Sequence, residues 1–209
     1  MAMDNILNEI ATEEKIDPVY LNKKTHKIFE NITRIRNIID HIRVFSRAHD
    51  DFILTGFDVN SSIRNAVSMI SAQFKHYGIE LQILLHDNLP QIIGNTYKFE
   101  QVILNLLSNA KDALLEKENH LGDPYYKTIE IKSFAQDQQV VVEVKDNGIG
   151  ISDENLNQVM LPFYTTKDPG KGTGLGLSVS YQIIKDMKGT IEFSSMQMIE
   201  TKIRIILKQ

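Results

Sequence analysis

The chain has 209 residues, 42% apolar and 24% charged, with a formal net charge of −4: enough for one well-buried domain with an appendage, too few for two large domains, and too ordinary for wholesale disorder. No lysine and arginine cluster of the kind that binds a phosphate backbone is present, which argues against nucleic acid, and the absence of cysteine excludes a disulfide scaffold or a thiolate metal site. No apolar run approaches the ~18 residues of a membrane span and no signal-peptide pattern follows Met1, so a cytoplasmic location without direct membrane insertion is expected, although a longer parent protein could be anchored.

Residues 4–14 read as the tail of a helix, broken at Asp17-Pro18. Leu21, Thr25, Ile28, Ile32, Ile35, Ile39 and Ile42 then recur at alternating spacings of 4 and 3, a heptad seam. So narrow a stripe among Lys, Arg and Glu fits a bundle or dimer better than a helix lying on its own domain. Isoleucine at both seam positions favours more than two strands, which suits a four-helix assembly made from two chains.

After Arg47 the pattern changes. A short extended piece is expected to start at Phe57, followed by a helix over 60–77 with Ile63, Val67, Ile70 and Phe74 on one face and Gly78 as its stop. Strand character follows at 79–85 and briefly at Ile92-Ile93, then a strong helix over 99–115. Two alternating strands, 128–134 and 139–145, turn at Asp137-Gln138. A glycine-rich stretch leads into a helix carrying Val179, Ile183, Ile184 and Met187, with Gly189 expected at its C′ position. Strands at 190–194 and 201–207 complete the pattern. Hairpin strands interspersed with helices predict an α+β, two-layer sandwich with helices on one face of a mixed sheet.

Three stretches could carry chemistry. YTTKDPGKGTGLGLS has glycines at 170, 172, 174 and 176 and runs into a helix. It matches neither GxxxxGK[ST] nor GxGxxG. Unpaired N–H groups at a helix start, reached through glycines that admit close approach, nevertheless suit an anion; the alternative is a flexible loop. In VVVEVKDNGIGIS, Val140, Val142, Val144 and Asp146 share one strand parity, so core-facing valines carry the Asp146 carboxylate to the same side. It requires a partner there, such as the exocyclic amino group of adenine, unless the stretch is an ordinary Asp-Asn-Gly turn. In EQVILNLLSNAKDALL, Gln101, Asn105 and Asn109 stack at i, i+4 and i+8 beside an apolar stripe. An amide oxygen there suits Mg²⁺; a solvated polar face is the competing reading.

These blocks, about 40 and 26 residues apart, closely resemble the catalytic domain of sensor histidine kinases, within the gyrase, Hsp90, histidine kinase and MutL ATP-binding superfamily with its Bergerat-type fold. LNLLSNAKDAL is similar to the N box, DNGIGIS to the first glycine box, LPFYTTK to the F box and GKGTGLGLSVSYQIIKDMKGTI to the second glycine box. NITRIRNIIDHIRVFSR resembles the second helix of a dimerisation bundle. The resemblance implies a partial dimerisation bundle at 1–50 and an ATP-binding catalytic domain at 51–209. It further implies that Asp146 meets the adenine amino group over a floor shaped by Gly148 and Gly150, with Ile151 beside it and Thr201 near adenine. Asn105 would hold Mg²⁺ and Asn109 approach the phosphates. Phe163, Thr166 and Lys167 would belong to a lid, and Gly172, Thr173, Gly174, Leu175, Gly176 and Leu177 would line the phosphate cradle.

This sequence departs from the family in three ways. Met160 replaces the usual first phenylalanine of the F box. Asp112, at the nucleotide, stands where many relatives have lysine, so phosphate neutralisation is expected to lean on Mg²⁺ and Lys167. The acceptor motif, histidine followed by an acidic residue and shortly by proline, is absent: His26 precedes Lys27 and His41 precedes Ile42, and both read as helix-surface or bundle histidines. The acceptor histidine is therefore expected upstream of Met1. The resemblance implies a homodimeric kinase that uses ATP and Mg²⁺, passes the γ-phosphoryl group to that histidine, and works with a response-regulator receiver domain. A nucleotide-binding regulatory module without kinase activity is the alternative. A gyrase- or MutL-type hydrolase is disfavoured, because the position one turn before Asn105 is Gln101, which cannot act as a base.

Overall fold

A computed structural model describes residues 19–28, 32, 54–167 and 172–208. The chain divides into two compact units, Met1–Ala48 and His49–Gln209. In the first, residues 19–28 are helical and begin just after Pro18. The seam positions Ile35, Ile39 and Ile42, the 4–14 segment and His41 lie outside the described residues. His26 is within that helix, with an exposed side chain.

The second unit runs β1 (Thr55–Phe57), α1 (Val59–His76), β2 (Ile79–Leu85), β3 (Ile92–Gly94), α2 (Thr96–Leu121), β4 (Lys127–Gln136), β5 (Gln139–Asp146), α3 (Asp153–Leu156), α4 (Gly176–Asp186), β6 (Thr190–Met196) and β7 (Glu200–Lys208). Strands β1 and β3 form a small antiparallel pair; the other five lie in the order β2-β4-β5-β7-β6, with β2 and β4 parallel and every other neighbouring pair antiparallel. The expected mixed sheet with helices on one face is therefore the observed architecture.

Local chemistry explains most boundaries. Asp58 caps α1 by accepting the Asn60 N–H at 2.9 Å, and Gly78, at φ +62°, stops it. Asn95 caps α2 by accepting the Lys98 N–H at 3.0 Å; Gly122, at φ +74°, ends it. The β4–β5 turn holds Asp137 and Gln138 at φ 49° and 61°, the left-handed pair that a two-residue hairpin requires.

Val140, Val142, Val144, Ile129, Ile131, Ile203, Ile205 and Leu207 fill the buried side of the sheet, against helices whose apolar stripes are continuous: Ile63, Ala66, Val67, Ile70 and Phe74 on α1, and Phe99, Val102, Ile103, Leu106, Leu107, Ala110 and Leu114 on α2. The opposite side carries alternating charge, with pairs Lys132–Glu130, Lys145–Glu200 and Arg204–Glu143. This is the one-face-wet pattern of an antiparallel sheet.

The structure corrects several sequence expectations. Phe57 ends its strand rather than starting it, because the next residue, Asp58, is already the cap of α1; its ring is buried against Phe99 at 5.3 Å between centroids. Helix α2 runs from Thr96 to Leu121, beyond the expected 99–115, since the Asn95 cap and the Gly122 stop sit further out than the apolar stripe. Gly189 is not the left-handed residue closing α4. Lys188 takes that conformation at φ 57°, with Lys188 N–H donating to Lys185 O and Gly189 N–H to Ile184 O, both at 2.9 Å. Glycine is needed at 189 for room: an added Cβ would lie 2.7 Å from Ile206 O. The single-turn helix α3 was not anticipated, having too few residues to show a period.

Candidate functional site

Helix α2 organises the site. Asn105, Asn109 and Asp112 follow at i, i+4 and i+7 along one face, half-buried, beside the buried Leu106 and Ala110. Asn105 is oriented from across the chain: its Nδ2 donates to Ser180 Oγ on α4 at 2.9 Å. That leaves Oδ1 against the start of α4, where a Cβ on Gly176 would lie 2.3 Å away. Helix α4 has Leu175 at its N-cap and no side-chain cap, so its first-turn N–H groups remain available to an outside acceptor. Gly170 lies outside the described residues; the described glycines of the stretch sit against neighbours rather than in open space. Gly174, at φ +66°, lies against the Phe163 backbone, and a Cβ at Gly172 would meet Thr165 Oγ1 at 2.6 Å. Thr173 Oγ1 accepts the Leu175 N–H at 3.3 Å, and Leu177 is half-buried in the first turn.

The other end of α2 meets the sheet. Asp146, 6% exposed, is paired in register with Thr201, and its Oδ1 accepts the Gly148 N–H at 2.9 Å. Gly148 passes so close to α2 that a Cβ would lie 2.8 Å from the Ala113 backbone; Gly150, at φ +71°, would place one 2.3 Å from Met196 O. The turn is pinned by Ile149 N–H to Ala113 O at 3.1 Å, Met198 N–H to Ile149 O at 2.5 Å and Ile151 N–H to Ser195 Oγ at 2.8 Å. Burial pushes the Asp146 carboxyl up to about 7, against the Gly148 N–H and the Lys117 charge that lower it, and Glu200 adds to the rise. A carboxylate this deep with one donor has capacity for another.

Asn105, Asn109 and Asp112 thus lie on the same helix whose next turns hold Asp146, Gly148 and Gly150. The approximate rise of 12 Å from Asn105 to Ala113 along the axis separates two ends of one site. Lys167 bridges from the glycine stretch to α2: a Cβ on Gly172 would lie 3.3 Å from its Cβ and Cδ, and its Nζ lies 2.6 Å from Oδ2 of Asp112, the residue before Ala113. Phe163 and Thr166 are exposed, Phe163 at 71% and with φ 67°, so their side chains are not gathered with the others.

Sequence reasoning missed Lys117, whose Nζ donates to Asn147 O at 2.8 Å and Ile199 O at 3.4 Å and sits 5.1 Å from the Tyr125 ring centroid. It ties the Asp146 turn to the β6–β7 hairpin. Ser195, which bonds to both Ile151 and Thr201, was missed as well. Its place opposite Thr201 becomes readable once the hairpin register is known. Glu100 is buried and accepts from Asn65 Nδ2 at 2.8 Å, directed toward α1 and away from Asn105.

A divalent cation fits this donor set in one way. Among the described residues no group of three His, Cys, Asp or Glu could hold a metal, so Asn105 Oδ1 would supply one hard oxygen, with phosphate and water completing the shell. Among the described residues no helix is long and apolar enough to cross a membrane.

A family model described as histidine kinase-, DNA gyrase B-, and HSP90-like ATPase matches residues 94–209. The chain is 32% identical over 180 residues to the two-component sensor PprA of Pseudomonas aeruginosa, covering 84% of this chain and 19% of that protein. It is 31% identical over 168 residues to sporulation kinase E of Bacillus subtilis, covering 80% and 21%. It spans about a fifth of the length of these curated relatives. The catalytic domain of histidine kinase ThkA, in a nucleotide-free form, superposes with a TM-score of 0.63 at 26% identity, over 75% of this chain and 96% of that one. ThkA in complex with the response regulator protein TrrA gives 0.74 at 22% identity, over 99% and 56%, a likeness of fold.

Proposed function

Because this chain belongs to the family of histidine kinase-, DNA gyrase B- and HSP90-like ATPases, we propose that it is the ATP-binding catalytic region of a two-component histidine kinase. In this reading it acts on the cytoplasmic side of a larger sensor, dimerises through its helical arm, and delivers a phosphoryl group destined for a response-regulator receiver domain. The observation that carries the reading is the single helix α2, which presents Asn105 against the uncapped start of α4, carries Asn109 one turn on along the same face and, further along, supports the Asp146 turn.

Each end has a chemical role. Ionised Asp146 accepts an N–H from the adenine amino group, with Thr201 beside it and Gly148 letting the turn close against α2. The first-turn N–H groups of α4, reached past Gly172, Gly174 and Gly176, donate to phosphate oxygens. Lys167 adds a cation at that end. Asn105 Oδ1 would hold Mg²⁺, which supplies charge neutralisation on the phosphates when bound. The histidine imidazole forms a bond to the γ-phosphorus as the bond to the bridging oxygen breaks and ADP leaves. The residues here position the phosphates for that displacement.

The test is to mix the chain with labelled ATP, magnesium and a separate polypeptide carrying a histidine acceptor helix. Label on histidine, stable to base and lost in acid, is the expected result. Free phosphate alone would indicate a hydrolase. Nucleotide binding without either product would indicate a regulatory module.

A further inference from the structure

Asp112 and Lys167 have a relationship that the proposed role of the phosphate end does not require. Asp112 continues the Asn105–Asn109 face, yet it is an acid on a face otherwise suited to an anion. Its two oxygens are shared between cations: Oδ2 lies 2.6 Å from Lys167 Nζ and Oδ1 lies 3.5 Å from Lys111 Nζ. Lys167 is held to this position from its own side. Its N–H donates to Thr165 Oγ1 at 3.2 Å, and a Cβ on Gly172 would come within 3.3 Å of its Cβ and Cδ. The ammonium is therefore a half-buried cation between the glycine stretch and α2, already occupied by a carboxylate.

We propose that Asp112 is an affinity-limiting residue of the nucleotide site, competing with the phosphates for the Lys167 ammonium. The inference rests on the nucleotide reading above and adds a regulatory element to it. Phosphate oxygens that recruit Lys167 must displace or share it with Asp112, and the carboxylate repels them in either case. Displacement is cheap for the carboxylate, because Lys111 stands on its other oxygen. The ion pair is about a third exposed at each partner, so its effect is modest and screened by salt. A divalent cation on the phosphates reduces their negative charge, so the penalty falls mainly on metal-free nucleotide.

Four proteins test this by calorimetry with ATP, with and without magnesium, and by amide-shift titration with adenosine: wild type, Asp112→Asn, Lys167→Met and the double variant. Asp112→Asn is expected to bind metal-free ATP roughly two- to fivefold more tightly, MgATP by a smaller factor, and adenosine unchanged. In the Lys167→Met background the same substitution is expected to give a clearly smaller gain, the part that comes from direct repulsion alone. Weaker ATP binding by Asp112→Asn would overturn the proposal and make Asp112 a supporting ligand. An equal gain in the Lys167→Met background would reduce it to general charge and overturn it too. A change in adenosine affinity would overturn it as an indirect structural effect. Failure of wild type to bind either ligand removes the nucleotide reading itself, an outcome distinct from the other three.

Discussion

The two ends of the site are held by different means. At the base end, Asp146 is buried in a strand, and the turn after it is fastened through the Ile149 backbone to Ala113 and Met198, and by the side chains of Ser195 and Lys117. At the phosphate end, side chains make the ties to α2, Asn105 with Ser180 and Lys167 with Asp112, and one backbone bond, Phe163 N–H to Gly174 O at 2.9 Å, holds the glycine stretch beside a helix start without a side-chain cap. Backbone fastenings leave a ligand nothing to replace, whereas side-chain fastenings can be exchanged for ligand contacts. Disturbing the base end should therefore appear in stability, and disturbing the phosphate end in affinity.

The largest expected effect is electrostatic. In the folded protein the Asp146 carboxyl lies at about 7, above its ordinary 3.8, so the fold binds the proton more tightly than the unfolded chain does. This contribution to stability is complete below about 4 and is lost as pH rises through 7, amounting to roughly 4 kcal/mol. Asp146→Asn should lose that slope, which urea unfolding of both proteins between about pH 4 and 8 would read; parallel pH dependences would break the comparison. Adenine nucleotide affinity of the wild type should rise over the upper part of the same range, as the carboxylate becomes an acceptor.

Next in size is a pair of glycine substitutions. Gly150→Ala combines a left-handed backbone with a clash against the Met196 carbonyl and should cost about 2–3 kcal/mol in thermal unfolding. Gly176→Ala meets the Asn105 side chain instead. It should cost less than about 1 kcal/mol of stability while weakening ATP roughly tenfold. The smallest effects sharpen the phosphate end: Asn105→Ala should weaken MgATP by roughly tenfold and Ser180→Ala by roughly threefold, each without changing adenosine binding, as calorimetry would show.

How much of this was legible in the sequence follows from the range of the interactions. Asp146 could be placed on the core side from strand parity alone, and the stacked amides from helical spacing, because both are local. The hairpin at Asp137-Gln138 and the stop at Gly78 were legible for the same reason. Gly189 reads from the sequence as the C′ residue of α4 because nothing local shows that glycine there answers a packing demand from Ile206 on β7, 17 residues beyond it. The Asn105–Ser180 and Asp112–Lys167 pairs join residues 75 and 55 positions apart. Lys117 finds its acceptors in two loops and has no periodic signature, so only the tertiary arrangement exposes it.

A single amide-shift titration puts the whole arrangement at risk: adenosine first, then MgATP, on one labelled sample. Adenosine should move Gly148, Gly150 and Thr201, and MgATP should move those same signals and add Asn105, Gly174 and Gly176. If the two ligands shift separate groups, or neither shifts both ends on saturation, α2 does not span one nucleotide and the reading fails.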